Sequence, residues 1–328
     1  MEVRVGMIAT GGMARHHIGQ LLRIKGATIT ALCDTDPAQL ATTKTQFPAL
    51  ADTWTTPDYQ ELLGRSDVDA VIIVTPHTQH FQQVNDAMDA QKHILCEKPM
   101  VCTVDHAHAL LKRLETYPKV FALAYQRHSM GQFKAMHDTI QSGRFGAVTF
   151  VSALQCQGWK KAVAGTWRQT MEHSGGGQLN DSGSHLVDII LYMTGLAVEH
   201  VSAFCDNRGT PVDIDSALAI RFTNGAQGNI SVVGDSVIGW HEDISIWCEK
   251  GAFLYRNGQL TVVDENGNRT TLDGSNLPPT QNIDENFIGA IRGENAVGAP
   301  AICGLRTIEL TEAAWRSAAQ GGIPVRMN

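Results

Sequence analysis

Long hydrophobic runs are absent from this 328-residue sequence, although 43% of its residues are hydrophobic. No segment approaches the ~18 consecutive apolar residues that indicate a membrane-spanning helix. The opening residues, MEVRVGMIAT, also lack the basic segment and the long apolar run of a secretory signal. We therefore expect a cytoplasmic protein that has no membrane partner.

Cysteine pairs are missing as well. The seven cysteines are an odd number, lie far apart, and form no C-x-x-C motif and no paired Cys/His spacing. This pattern excludes a disulfide framework and a zinc-finger arrangement, and it is typical of reduced thiols in the cytoplasm. The sequence predicts no metal site.

Positive charge is in deficit, with 26 Lys and Arg against 33 Asp and Glu and a formal net charge of −7. Because the basic residues are scattered rather than clustered, we expect no nucleic-acid partner. The length suggests about two domains, since one domain usually contains roughly 100–200 residues.

The first part of the chain alternates short apolar runs with helical patterns. The runs are continuously apolar, as in strands that are covered on both faces, and they cover residues 3–9, 28–33, 69–75, 93–96 and 120–124. A helix is predicted over Met13–Leu22, and the next begins with Asp36 as N-cap, Pro37 at N1 and Gln39 at N3. This alternation predicts an α/β fold with a doubly wound parallel sheet in a first domain, residues 1–123.

The second part, residues 124–328, has a different pattern. Helices are predicted near 131–142, 184–193, 284–291 and 305–319, and most of the remaining segments read as strands. Asn-Gly pairs at 224–225 and 257–258 are typical of hairpin turns. We expect a mainly antiparallel sheet with helices on one face, and the last helices could pack back on the first domain.

A glycine-rich turn, ATGGMARHH, follows the first strand at residues 9–17. In the dinucleotide-binding motif G-x-G-x-x-G/A, the second and third positions correspond to Gly11 and Ala14 of this turn. Gly11 would let the backbone approach a pyrophosphate, and Ala14 would let the helix pack closely on the strand. The first position of the motif is Ala9 instead of glycine. The alternative is an ordinary strand–helix turn. The residues expected at a dinucleotide are Ala9, Thr10, Gly11, Gly12, Met13 and Ala14.

Asp34 ends the second strand about 20 residues after the glycines, where an acid typically binds the ribose of a dinucleotide. A turn residue is the alternative reading. Neither Arg nor Lys follows Asp34 before Lys44, so a 2′-phosphate would meet a carboxylate unaided. The sequence therefore favours NAD over NADP.

Two further strand ends carry polar residues. The segment VTPHTQH contributes Thr75, Pro76, His77 and His80, which we expect on the cofactor side because they follow a strand where the sheet meets its ligand crevice. A metal pair formed by His77 and His80 is the alternative, but no third ligand accompanies them. The segment EKP places Glu97 and Lys98 at the end of a central strand, where ligands of such sheets bind. We predict that Lys98 points at the oxygen of the reacting carbon and that Pro99 fixes the turn, with a possible cis bond. A solvated ion pair is the alternative.

The last cluster, SGGGQLNDSGSHLVDIILYMTG, covers residues 174–195. Asp181 and His185 are four residues apart and would share one side of a helix that already runs through Asp181. A buried, hydrogen-bonded histidine is the alternative to a site. Additional residues expected to line a pocket are Arg127, which could also contact the cofactor, Trp159, Trp167 and Arg168.

The segments ATGGMA, TPHTQH, EKP and GGGQLNDSGSH, in this order, resemble the Gfo/Idh/MocA oxidoreductase family, which includes glucose–fructose oxidoreductases and inositol 2-dehydrogenases. The resemblance implies a Rossmann domain followed by an α/β domain whose large open antiparallel sheet often forms an oligomer interface. It also implies that Lys98, Asp181 and His185 are the catalytic residues. Two departures are Ala9, where glycine is usual, and His77, where asparagine is common.

Together these features predict an NAD-dependent dehydrogenase that oxidises a secondary alcohol of a sugar, an inositol or a related polyol. His185 would take the hydroxyl proton and Lys98 would stabilise the oxygen. Two alternatives stay open: an NAD-dependent glycoside hydrolase of the same family and a non-catalytic dinucleotide-sensing regulator. The expected assembly is a homodimer or homotetramer formed through the second sheet.

Overall fold

The computed structural model describes residues 1–327, so Asn328, the last residue of the predicted second domain, lies outside it. The chain divides into two compact units. The first contains residues 1–101, 105–126 and 281–302. The second contains residues 102–104, 127–280 and 303–327.

The first unit contains a parallel sheet of six strands. They are β1 (Val3–Ile8), β2 (Ala27–Cys33), β3 (Trp54–Thr56), β4 (Ala70–Ile73), β5 (His93–Cys96) and β6 (Phe121–Leu123). Their spatial order, β3-β2-β1-β4-β5-β6, confirms the predicted doubly wound sheet. The short β3 was not predicted, because its three residues give no readable pattern. The strand order reverses between β1 and β4, and ligands of such sheets bind outside the carboxyl ends at this point.

Eleven α-helices occur within residues 1–327. They are α1 (Gly12–Leu21), α2 (Pro37–Gln46), α3 (Tyr59–Leu63), α4 (His80–Asp89), α5 (Val104–Leu114), α6 (Gly131–Gln141), α7 (Trp159–Ala162), α8 (Met171–Ser174), α9 (Gly183–Thr194), α10 (Ile283–Arg292) and α11 (Ala301–Ala319). At the start of α2 the predicted cap is confirmed, since the Asp36 carboxylate accepts from the backbone of Ala38. The Gln39 side chain accepts instead from Arg15.

The second unit contains a nine-stranded sheet. Its strands are β7 (Val148–Gln157), β8 (Val198–Asp206), β9 (Asp215–Phe222), β10 (Gln227–Val233), β11 (Trp240–Cys248), β12 (Gly251–Arg256), β13 (Gln259–Val263), β14 (Arg269–Leu272) and β15 (Val325–Arg326). The order is β14-β13-β12-β11-β7-β10-β9-β8-β15, and among these strands of residues 1–327 only β7 and β10 pair in parallel. The two predicted Asn-Gly hairpins are confirmed: residues 224–225 join β9 to β10, and residues 257–258 join β12 to β13. The φ angle is 47° at Asn257 and 94° at Gly258.

Helix α9 covers one face of this sheet. Its apolar stripe is fully buried, as predicted, and consists of Leu186, Ile189, Ile190 and Met193. Side chains alternate along a strand, so neighbouring positions lie on opposite faces. Large aromatic side chains on the other face are exposed, namely Phe150, Phe204 and Trp247. Within residues 1–327, no helix combines the length and apolarity needed to cross a membrane.

Candidate active site

The turn after β1 leaves open space at the start of α1. A Cβ atom built on Gly11 or Gly12 would meet no described atom within 4 Å. Gly11 has an extended backbone, with φ −66° and ψ −169°, which other residues also adopt. Neither packing nor conformation within the described residues therefore requires glycine at Gly11. The helix has no side-chain cap at this end, so its first N–H groups suit a phosphate. The turn fits the pyrophosphate of a dinucleotide.

Ala9 has a left-handed backbone with φ of 78°. This conformation brings Cβ close to the following carbonyl oxygen and costs an L-residue roughly 1–2 kcal/mol. The Ala9 N–H donates to the carbonyl of Cys33 at 2.9 Å, which ties the turn to the end of β2. The departure from glycine at this position is therefore a point of backbone strain.

Asp34 lies directly beside the glycine-rich turn. Its Oδ2 accepts from the Thr10 backbone nitrogen at 2.8 Å and from the Thr10 hydroxyl at 3.0 Å, and its Oδ1 accepts from the Asp36 backbone nitrogen at 2.9 Å. The two predicted elements of the dinucleotide motif thus meet within the first unit. Because Asp34 also accepts from Asp36 in its own turn, it serves as the turn residue of the alternative interpretation as well.

A cation that the sequence did not indicate also lies at this end of the sheet. The Arg15 guanidinium donates through Nη1 to the Thr10 carbonyl at 2.9 Å and to Gln39 Oε1 at 2.9 Å. The sequence after Asp34 does not indicate this cation, because Arg15 comes from α1, which precedes β2. Its position depends on tertiary contacts with Thr10 and Gln39, and sequence spacing does not reveal them.

The loop after β4 is fixed by buried hydrogen bonds. Thr75 donates to Gln83 at 2.6 Å, and His77 is buried. The Nδ1 of His80 lies 2.8 Å from the Pro99 carbonyl and its Nε2 lies 3.0 Å from the Thr75 carbonyl. Burial lowers the pKa of His80, and the hydrogen bonds to the two carbonyls oppose this shift. His80 therefore joins the loops after β4 and β5, while Pro76 begins the short 3-10 turn between Thr75 and α4.

The EKP segment is buried. Glu97 is 8% exposed and Lys98 is 9% exposed, so the reading as a solvated pair is wrong. The Lys98–Pro99 peptide bond is cis. One Glu97 oxygen, Oε2, accepts from the Lys98 backbone nitrogen at 3.0 Å, and the other, Oε1, lies 3.1 Å from Nε2 of His17. His17 was not among the predicted site residues.

In the second unit, Asp181 lies just before α9 rather than inside it, because the helix begins at Gly183. Its Oδ2 accepts from the Trp159 indole nitrogen at 2.9 Å and from Arg168 Nε at 3.2 Å. The Arg168 guanidinium also lies over the Trp167 ring at 4.3 Å. Three predicted pocket residues therefore cluster around this carboxylate. His185 follows in the first turn of α9 and is partly exposed.

The glycines before Asp181 serve internal packing. A Cβ atom on Gly177 would lie 1.9 Å from the Asp213 carbonyl oxygen. The Asp213 carboxylate accepts from the backbone nitrogens of Gly177 and Leu179, both at 2.9 Å. This close contact fixes the loop that leads to Asp181, which explains the glycine at position 177 without a ligand.

Arg127 belongs to the second unit, where its Nη1 lies 2.5 Å from Glu242 Oε1. Both side chains are buried, and the guanidinium lies over the ring of Phe133 at 5.8 Å. The neighbouring His128 pairs with Asp188 through its Nε2 at 2.8 Å. These contacts account for Arg127 as a buried ion pair, and its expected contact with the cofactor remains a prediction.

Comparisons with known proteins agree with this architecture. Residues 3–125 match the oxidoreductase family with an NAD-binding Rossmann fold, and residues 133–254 match the GFO/IDH/MocA C-terminal domain. An inositol 2-dehydrogenase of Rhizobium meliloti is 25% identical over 338 residues, which covers 98% of each chain. A myo-inositol 2-dehydrogenase of Thermotoga maritima is 26% identical over 81% of this chain and 80% of its own.

Among solved structures, a levoglucosan dehydrogenase in complex with NADH and L-sorbose has a TM-score of 0.87 at 20% identity, with both chains fully covered. The WlbA dehydrogenase of Bordetella pertussis, in complex with NADH and UDP-GlcNAcA, has a TM-score of 0.84 at 22% identity and covers 100% of this chain and 99% of its own. At this identity the likeness shows a shared fold. The two family-model matches, to residues 3–125 and 133–254, together cover most of the chain and belong to the same family. The protein therefore belongs to the GFO/IDH/MocA family of NAD-binding oxidoreductases.

Proposed function

We propose that the protein is a dehydrogenase that oxidises a secondary alcohol of a sugar, an inositol or a related polyol with NAD. The observation that carries the proposal is the setting of Asp181, whose carboxylate is anchored by Trp159 and Arg168. Substrate hydroxyls donate well to a fixed carboxylate. His185, in the next turn of the chain, is partly exposed and can exchange a proton with such a substrate.

Bound NAD supplies the hydride acceptor, and the residues of the protein handle the proton and the charge. His185 takes the proton of the reacting hydroxyl, which suits an imidazole because its ordinary pKa is close to neutral pH. Lys98 donates to the same oxygen and stabilises the negative charge that develops there. Asp181 orients His185 or accepts from a neighbouring substrate hydroxyl.

The remaining assignments follow the same proposal. Residues 1–123 bind the cofactor, with Gly11, Gly12 and Asp34 at its phosphates and ribose. Residues 124–328 bind the substrate, with Trp159, Trp167 and Arg168 around Asp181. Two relatives that match over most of the chain are named as inositol dehydrogenases, which supports a cyclic polyol as substrate. The exposed aromatic face of the nine-stranded sheet supports a homodimer or homotetramer.

A substrate screen tests the function. Purified protein is incubated with NAD and a panel of inositols, polyols, sugars and glycosides, and the absorbance of reduced nicotinamide is followed. We expect NADH to accumulate with at least one alcohol and without cleavage of a glycosidic bond. Glycoside cleavage without net NADH would favour the hydrolase. Tight NAD binding with no turnover of any compound would favour the sensor.

A further inference from the structure

Three charged side chains from distant parts of the sequence meet inside the first unit. His17 comes from α1, Glu97 follows β5, and Asp284 lies in the first turn of α10. The Nδ1 of His17 lies 2.8 Å from Asp284 Oδ1, and its Nε2 lies 3.1 Å from Glu97 Oε1. His17 is 1% exposed and Asp284 is not exposed at all. The three side chains form a buried row with the histidine at its centre.

The hydrogen bonds fix the charge of the histidine. An ionised carboxylate only accepts hydrogen bonds, so both ring nitrogens of His17 must carry protons to satisfy Asp284 and Glu97. The ring is then an imidazolium between two carboxylates. Burial alone would lower the pKa of His17, but Asp284 and Glu97 raise it to about 10. At neutral pH His17 therefore carries a positive charge between the two carboxyl groups.

The row ends at the segment that carries Lys98. Because Glu97 Oε1 is held by His17 and Oε2 by the Lys98 backbone nitrogen, both oxygens of this carboxylate have fixed partners. The Pro99 carbonyl on the other side of Lys98 is in contact with His80. The backbone on both sides of Lys98 is thus tied to buried imidazoles, one of which comes from the helix that follows the cofactor turn.

We propose that His17 and Asp284 are positioning residues that hold Glu97 and thereby the Lys98 backbone in place. This inference rests on the proposed role of Lys98 in the oxidation of an alcohol. Neither His17 nor Asp284 is assigned to contact the substrate. Their effect is transmitted through Glu97. The physical reason is that a buried carboxylate without a cation would move toward water or take up a proton, and the Lys98 segment would lose its anchor.

The test uses two variants and one matched control. His17→Gln removes the central cation, and Asp284→Asn keeps an acceptor for Nδ1 while removing one charge. Asp284→Asn serves as the second test if His17→Gln does not fold. His16→Gln is the control, because His16 is the exposed neighbour in the same helix. Folding is checked by circular dichroism and thermal unfolding, and NADH affinity is measured by fluorescence.

The first readout needs no activity. Cofactor-free protein is labelled with acetic anhydride, and the labelling rate of Lys98 is compared by mass spectrometry with that of Lys92, a buried lysine at the other end of β5 that donates to the carbonyls of Arg65 and Val68. We expect the Lys98 to Lys92 ratio to rise at least threefold in His17→Gln and Asp284→Asn and to stay constant in His16→Gln. An unchanged ratio in folded His17→Gln or Asp284→Asn would overturn the inference.

The second readout is turnover of the alcohol found in the screen. We expect kcat to fall by about tenfold in Asp284→Asn and about 10²-fold in His17→Gln, with NADH affinity within about threefold of the parent, since a misplaced group loses transition-state stabilisation rather than ground-state binding. Equal turnover in folded His17→Gln and His16→Gln, together with an inactive Lys98→Met, would refute the positioning role alone. Full activity of Lys98→Met would refute the proposed role of Lys98 instead, and the labelling ratio would still test whether His17 and Asp284 hold the segment in place.

Discussion

Asp34 and Thr10 are joined by two hydrogen bonds, at 2.8 Å from the Thr10 backbone nitrogen and 3.0 Å from its hydroxyl. The acid that follows β2 is thus hydrogen-bonded to the turn after β1, and Arg15 donates to the Thr10 carbonyl of the same turn. A carboxylate here repels a 2′-phosphate, whereas Arg15 would attract one if the carboxylate were removed.

Asp34→Ser should therefore change the choice of cofactor. We expect the parent to bind NAD more tightly than NADP. In the variant, the dissociation constants for NAD and NADP should lie within about threefold of each other, because NAD binding loses about one charge-assisted hydrogen bond. Adding Arg15→Gln to Asp34→Ser should abolish the gain in NADP affinity. Fluorescence titration gives the dissociation constants for NAD and NADP of the parent and both variants. Equal affinity of the parent for NAD and NADP would show that Asp34 is only a turn residue.

Ala9→Gly should stabilise the protein. The substitution removes the cost of the left-handed conformation, roughly 1–2 kcal/mol, but glycine gains about 0.4–1 kcal/mol of freedom in the unfolded chain. We expect a net gain of about 0.5–1 kcal/mol in the free energy of unfolding by urea. Ala41→Gly, at an exposed position inside α2, is the control and should cost about 1 kcal/mol. A loss of stability in both variants would contradict the strain at Ala9.

His185→Ala should lower turnover by about 10²–10⁴, the usual contribution of a positioned general base, while NAD affinity stays close to that of the parent. In the oxidative direction, parent activity should rise with pH through an ionisation in the neutral range. His200→Ala, which changes a half-exposed histidine on β8, is the control. Near-normal turnover of His185→Ala would leave His185 a structural residue of α9.

Lys98→Met keeps much of the side-chain volume and removes the ammonium. We expect turnover to fall by about 10²–10³, by comparison with the loss of one donor to a developing oxyanion, and NAD affinity to persist. Lys98→Arg should restore activity only in part, because a planar fork does not reproduce a compact charge. Lower stability with full turnover in the folded fraction would show that the segment is only a strand end.

The pH dependence of stability tests the charge of His17. Its pKa is raised from 6.5 to about 10 in the folded protein, so the folded state holds the proton more tightly than the unfolded chain. The stabilisation is complete below pH 6.5 and is lost as the pH rises through about 10. Between these values the free energy of unfolding should fall by up to about 1.4 kcal/mol per pH unit from this group.

Urea unfolding at pH 6.5, 8 and 9.5 measures this slope. Other groups titrate in the same range, so the comparison is between the parent, His16→Gln and Asp284→Asn. We expect the slope to be smaller in Asp284→Asn, because one of the two carboxylates that raise the pKa is gone. Parallel curves for all three proteins would mean that His17 is neutral.

The sequence alone determined the first sheet and the edge at which its strands end. Buried parallel strands are continuous apolar runs, so β1, β2, β4, β5 and β6 could be predicted, while β3 is too short to show a pattern. The carboxyl ends of parallel strands meet at one edge, so the polar residues that follow them could be predicted to lie together from their order along the chain. Asn-Gly pairs also revealed the hairpin at Asn257 because their conformational preference is local.

Tertiary structure decided what holds these residues. His17 is 80 positions from Glu97 and 267 positions from Asp284, and no local period connects them. The cation beside Asp34 is Arg15, which precedes it in the chain, and Asp181 is fixed by Trp159 and Arg168 rather than by a place in α9. Hydrophobic periodicity records which face of an element is buried, but a buried charge finds its partner only when separate elements pack together, because its energy depends on contacts at distances of about 3 Å.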